Sequence, residues 1–283
     1  MIPIIDTHQH LCDLTKFRLS WLKEGSPLAR SFLMADYLSA TEGLNVVKAV
    51  YMEVDVDPQQ QGAEAQYILD ICKQGNTPTV AAVISGRPAS EGFKTYIEPF
   101  KASRYIKGVR QVLHGADTPA GYCLSADFIK GIRLLGEFGM SFDICVRPGE
   151  LADAAKLIDA CPDTRFILDH CGNANVQAKD RSPWERDLAG VAKRKQVMCK
   201  VSGIVVSARP GAWTADDLAP FINHTLNVFG PERVMFGGDW PVCTQTATYK
   251  QWLDALKMIV HERSELNQRK LFHDNAARFY GMG

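Results

Sequence analysis

Two histidines one residue apart, His8 and His10, lie near the start of the chain in Ile4-Ile5-Asp6-Thr7-His8-Gln9-His10. Side chains two positions apart on a strand leave from one face, so both imidazoles can converge on one point. Imidazole nitrogen is a borderline donor that suits zinc and other first-row divalent ions. The plainer alternative is a pair of histidines fraying into a surface loop; their place after an apolar run and Asp6 favours a site. Asp239 follows Phe236-Gly237-Gly238. Glycines there leave room for close approach, and a carboxylate can bind metal or take a proton from water. As a helix N-cap it would play only a local part.

His170 closes Ile167-Leu168-Asp169-His170. Strand alternation puts it on the inward face with Leu168 and turns Asp169 away; a structural histidine is the alternative. Lys200 sits within Val197-Met198-Cys199-Lys200-Val201-Ser202, where an ammonium is costly unless it is paired or at a mouth. It is a candidate for polarising a carbonyl, against a lysine that snorkels to solvent. Arg110 has a fork suited to a carboxylate or a polyhydroxylated substrate, or to a structural ion pair. Glu53 and Arg147 repeat that inference more weakly. Trp21, Trp240 and Tyr51 are candidates for an apolar wall. Cys171 and Cys243 lack a neighbouring base and read as wall residues.

These residues lie at the ends of eight short apolar or β-branched runs, at 3–8, 46–54, 80–85, 106–113, 141–147, 165–170, 197–202 and 233–239. Most are followed by segments of helical spacing; in the segment 61–75, Ala65, Ile68, Leu69 and Cys72 share one helical face. Two more helical stretches close the chain, near 246–261 and 264–280. Alternating strand and helix predicts parallel βαβ units. Eight of them in 283 residues predict one (β/α)8 TIM-barrel domain over 1–283, whose chemistry sits at the C-terminal strand ends. No GxGxxG motif supports an open dinucleotide-binding sheet. Loops 11–35 and 203–215 are left to shape specificity.

Lys+Arg and Asp+Glu number 32 each, so the chain offers no bulk attraction to nucleic acid or an anionic membrane. No apolar stretch is long enough to span a bilayer and no signal-peptide pattern opens the chain, so a soluble protein is expected. Eight scattered cysteines without a CxxC pair read as reduced thiols of a cytoplasmic protein. A small-molecule substrate is the expected partner, and a homo-oligomer is compatible with all of this.

The ordered set IIDTHQHL, IKGVRQVL, FILDHCGN, CKVSG, MFGGDWPVC and NAARFYG resembles the amidohydrolase superfamily over nearly the whole chain. The resemblance is to its amidohydrolase-related branch of sugar lactonases and dicarboxylate-lactone hydrolases. It implies a divalent metal, usually zinc, on His8 and His10, with Asp239 as ligand or general base. His170 is then a ligand or the catalytic acid/base. Dinuclear relatives carry a carboxylated lysine at the end of strand 4, where this chain has Arg110, and many carry a strand-5 histidine that it lacks. One metal, or none, is therefore expected. The implied reaction is opening of a small lactone, a sugar lactone first, by water activated by Asp239. Lys200, Arg110 or the metal would stabilise the oxyanion, and Trp21, Glu53, Arg147 and Trp240 would join Arg110 in holding substrate. A decarboxylase or a dicarboxylate-lactone hydrolase of the same branch is the nearest rival, and a non-catalytic binding barrel the remoter one.

Overall fold

The computed structural model describes residues 2–282. Each of the eight apolar runs is a strand: β1 (Ile4–Gln9), β2 (Val46–Met52), β3 (Thr79–Ser85), β4 (Ile106–Val112), β5 (Ser141–Cys145), β6 (Arg165–Leu168), β7 (Val197–Val201) and β8 (Val234–Phe236). They pair in chain order, all parallel. Parallel neighbours require crossovers, and helices such as Gln61–Gln74, Ala126–Glu137, Leu151–Ala160, Ser182–Ala192 and Ala215–Phe229 supply them on the outside. The helix Gln61–Gln74 buries Ala65, Ile68 and Cys72 on one face.

Between β8 and β1 the ring closes differently. Gln9 bridges Trp240, and the His10 amide donates to the Trp240 carbonyl at 2.8 Å. Side chains do the rest. The buried Asp6 carboxylate accepts from the amides of His8 and Gly238 and from the hydroxyls of Tyr37 and Tyr249. The Thr7 hydroxyl donates to the Phe236 carbonyl at 2.6 Å. A Cβ on Gly238 would lie 2.3 Å from the Tyr249 ring and 2.7 Å from Asp6 Oδ2, so only glycine admits this approach.

Two apolar layers hold the barrel. Ile5, Val50, Met52, Ala81, Val83, Ile167, Met198 and Met235 fill its inside, where Ala276, Tyr280 and Met282 cap them. Lys48 of β2 donates to the Met282 carbonyl and ties down that end of the chain. A larger cluster joins the outer strand faces to the helices.

Three features differ from the sequence reading. A helix, Met34–Thr41, stands between the expected loop 11–35 and the second strand, where the sequence reading assigns no element; it buries just Tyr37 and Thr41, too little for a clear periodic stripe. The final stretch is broken at Lys270–Asp274 by a π-helical turn between Glu265–Arg269 and Asn275–Tyr280. Strands β6 and β8 stop short of their runs, because His170 and Asp239 take φ values of 54° and 52°. No helix among the described residues is long and apolar enough to cross a membrane.

Candidate active site

The β1 histidines reach the barrel mouth through an irregularity. From Asp6 to Gln9 the strand advances three residues while its partner advances two, Asp6 facing Ala49 and Gln9 facing Tyr51. This bulge lets both Ile5 and His8 face inward although three positions separate them. His8, His10 and His170 surround one carboxylate oxygen: Asp239 Oδ1 lies 3.6 Å from His8 Nε2, 3.4 Å from His10 Nε2 and 4.0 Å from His170 Nε2.

His170 arrives by a route that alternation does not foresee. Leaving β6, Asp169 points into the barrel, where it meets His8, Arg110 and Lys200. The sequence reading had turned it outward. Residues His170, Cys171, Gly172 and Asn173 then all adopt left-handed angles, φ 54°, 53°, 71° and 54°. This turn swings the His170 ring back over the site, and the Trp184 indole donates to the Cys171 carbonyl at 2.9 Å to hold it. Asp55, His170, Asn173 and Asp239 all line the cavity at positive φ. Such conformations cost about 1–3 kcal/mol each and persist where the surroundings over-determine them. Gly203 (φ 61°) packs so tightly that a Cβ would sit 2.4 Å from His170 Nδ1 and 2.9 Å from Asp239 Oδ2.

Beneath the histidines lies a buried charge network. Arg110 donates from Nε to Glu53 Oε1 at 2.6 Å, from Nη2 to the Glu53 carbonyl at 2.8 Å and from Nη1 to Asp169 Oδ2 at 3.4 Å. Lys200 Nζ lies 2.5 Å from Asp143 and 3.3 Å from Asp169. Burial presses the Lys200 ammonium toward neutrality, but the two carboxylates outweigh it and hold it protonated. Burial likewise pushes Asp169 up, and Lys200, His8 and His170 together hold it well below the usual carboxylate range. His8 is driven well below its ordinary value chiefly by burial, and His170 is lowered by burial too. Both are neutral imidazoles at neutral pH, the form in which histidine binds metal.

The donor set at Asp239 fits a cation. His10 Nδ1 sits 3.0 Å from the Met52 carbonyl, which makes it the protonated nitrogen and leaves the Nε2 lone pair aimed at Asp239. Arg110 Nη1 lies 3.3 Å from His8 Nε2, so that nitrogen carries no proton and its lone pair accepts from the guanidinium. Lone pairs facing an anion repel unless a positive charge joins them. His8, His170 and Asp239 each offer a ligand atom within 4.8 Å of the others. Ligand atoms of Cys145, Asp169 and His170 lie equally close to one another, but Lys200 and Arg110 already compensate Asp169, and burial pushes the Cys145 thiol up to about 12.

A cavity of about 390 Å³ opens above this floor, a size suited to a small molecule. His10, Arg110, His170 and Asp239 line it, and Trp21 forms part of its rim, with its indole donating to the Val54 carbonyl at 2.8 Å. Several expected site residues stand elsewhere. Lys200 is fully buried below the cavity and not at the mouth, because Asp143 and Asp169 hold it there. Glu53 is equally buried and spends its carboxylate on Arg110. Arg147 binds Glu150 and the carbonyls of Gly115 and Thr118, bracing the loop after β4. Trp240 packs behind the wall against Phe32 and Tyr37, and Tyr51 points out of the barrel and donates to Glu64 on the helix Gln61–Gln74. Asp143 went unassigned, although an acid between Phe142 and Ile144 in a buried run needs a partner as much as Lys200 does. Asn173 carries no such signal, since its place depends on the left-handed turn, whereas Asp169 faces inward by alternation once Ile167, and not Leu168, is set inside.

The amidohydrolase family model matches residues 5–282. The chain belongs to the amidohydrolase family. The match makes the chain a hydrolase. It is 26% identical to an L-fucono-1,5-lactonase of Burkholderia multivorans, over 98% of this chain and 96% of that one. It is 23% identical to an L-rhamnono-gamma-lactonase of Scheffersomyces stipitis, over 99% and 98%. The barrel superposes on a crystal structure of a Burkholderia multivorans amidohydrolase with bound zinc at a TM-score of 0.87, with 23% identity and 99% of each chain covered.

Proposed function

We propose that this amidohydrolase opens a small lactone by hydrolysis, a sugar lactone in the first place. The observation that carries this reading is the convergence of three imidazoles on the Asp239 carboxylate at the floor of a cavity sized for one small ring. The lactonases among its relatives support the substrate class.

His8, His10, His170 and Asp239 are the residues that would hold one divalent metal, zinc being the ion their donor set suits. Such an ion supplies Lewis acidity toward a carbonyl and its developing oxyanion. Asp239 takes a proton from water, and the water oxygen bonds to the ring carbonyl carbon. The tetrahedral intermediate collapses as the carbon–ring oxygen bond breaks. The proton that Asp239 took passes to the departing oxygen, and the product is the open hydroxy acid. Arg110, fixed by Glu53 and Asp169, keeps positive charge beside His8 and the cavity floor. Lys200 acts through Asp169 as a positioning residue. The eight cysteines are all free and buried, which supports a reducing, cytoplasmic setting.

The test is acid release, followed with a pH indicator in weak buffer, from a panel of aldono-1,4- and 1,5-lactones with zinc or manganese supplied. Release well above the spontaneous rate supports the proposal. A flat response across the whole panel rejects it.

A further inference from the structure

The three imidazoles differ in how free they are to take a cation. A neutral imidazole has one N–H and one lone pair. His10 gives Nδ1 to the Met52 carbonyl, so its Nε2 lone pair is open toward Asp239. His170 turns Nδ1 to the Ser202 hydroxyl at 2.9 Å and Nε2 toward the same carboxylate. His8 stands apart. Its Nδ1 faces the Asp169 carboxylate at 3.5 Å, and its Nε2 accepts from Arg110 Nη1 at 3.3 Å. A guanidinium has only donors and keeps its charge in a protein. The single lone pair of His8 is therefore already spent.

Arg110 is held unevenly. Glu53 fixes Nε at 2.6 Å and Nη2 at 2.8 Å. Nη1 makes only long contacts, to His8 and to Asp169 Oδ2 at 3.4 Å. Nη1 can thus leave His8 for Asp169 while Glu53 keeps the rest of the guanidinium anchored.

We infer that Arg110 and a divalent metal compete for His8 Nε2, so that Arg110 sets how tightly the centre holds its metal. The inference rests on the metal centre of the reading above and not on its lactone. A cation that takes His8 costs the site one long, charge-assisted hydrogen bond, about tenfold in affinity. When the cation leaves, Arg110 gives the buried ring a donor again, so His8 is never left without a partner.

The experiment is a zinc titration against a competing chelator, without substrate, on the wild-type protein and Arg110→Lys. Lysine keeps the charge beside Glu53 but ends short of the Nη1 position, which frees His8. Arg110→Lys is expected to bind zinc about tenfold more tightly, whereas a purely structural role for Arg110 predicts weaker binding. Equal or weaker binding by the folded variant overturns the inference, and so does zinc binding by neither protein. Should the variant not fold, the wild type decides. Arg110 is the one buried arginine among the described residues, so its Nη protons are the arginine signals that NMR finds protected from water. Zinc should speed their exchange, since one of them loses its acceptor; zinc bound with exchange unchanged or slowed overturns the inference. Acid release from the lactone panel is a separate readout. A flat panel rejects the lactone and leaves the competition standing, and equal zinc affinities do the reverse.

Discussion

The two ends of the barrel interior are built from the same strands and do opposite work. At the N-terminal end Ile5, Val50, Ala81 and Met235 meet Tyr280 and Met282 in a layer closed by apolar contact. At the C-terminal end the inward positions carry His8, Glu53, Arg110, Asp143, Asp169 and Lys200, held by paired charges. Apolar packing is non-directional and tolerates volume-conserving exchange. A buried charge network is directional, and every member leaves an unpaired neighbour when removed. Stability and chemistry are thus separated by only a few residues along each strand.

The contrast predicts separable consequences. Asp239→Asn should lower kcat/KM by about a thousandfold, with the melting temperature kept, since the site carries strain that the fold does not need. Wild-type turnover in this variant would remove Asp239 from the chemistry. Lys200→Met should cost about 3–5 kcal/mol of unfolding free energy in urea titrations, because Asp143 and Asp169 stay buried without it. Adding Asp143→Leu should return part of that loss; further destabilisation would show that the pair is not the cause. Met235→Ala should cost about 2–5 kcal/mol and leave kcat unchanged below the melting transition. A large kcat defect there would break the separation of layers.

A further contrast concerns pH. Burial and the neighbouring Glu53 push Glu64 up to about 8 from an ordinary 4.5. The folded state therefore binds a proton that the unfolded state has already released between those values, and stability from this group declines as pH rises through that window. Glu64→Gln keeps an oxygen to accept from Tyr51 and the Val54 amide and has no proton to lose. Its melting temperature, followed from pH 4 to pH 9, should fall less steeply than the parent's. Parallel curves would show that Glu64 ionises normally.

Much of this was legible in the residues themselves. Eight apolar runs alternating with helical segments specify the barrel, because each run is long enough to cross it and each segment long enough to return. His8, His10, Asp239 and His170 stand out as polar groups at strand ends, and the structure brings all four together. Arg110 lines the cavity as well, but as a paired group. What failed was facing. Alternation holds through β6 in the opposite phase, with Ile167 and Asp169 facing the interior and Leu168 the helices, and four left-handed residues in a row then bring His170 back to the site. Lys200 reads as a mouth residue until Asp143, distant in sequence, is placed beside it. Trp240 and Arg147 sit at strand ends like the others, yet neighbours from separate loops pull them away from the cavity.

The β8–β1 seam has a kinetic consequence. It joins by one backbone bridge, a threonine hydroxyl and the Asp6 carboxylate, while the other seven junctions have full ladders. His8 and His10 stand on one side of it and Asp239 on the other. Amide exchange should therefore be fastest along this junction, and a fluctuation that parts it would separate the histidines from their carboxylate while the helices stay in place. On warming, turnover should fade before the circular dichroism changes, with the enzyme recovering on cooling, so that this junction sets the ceiling of its working temperature.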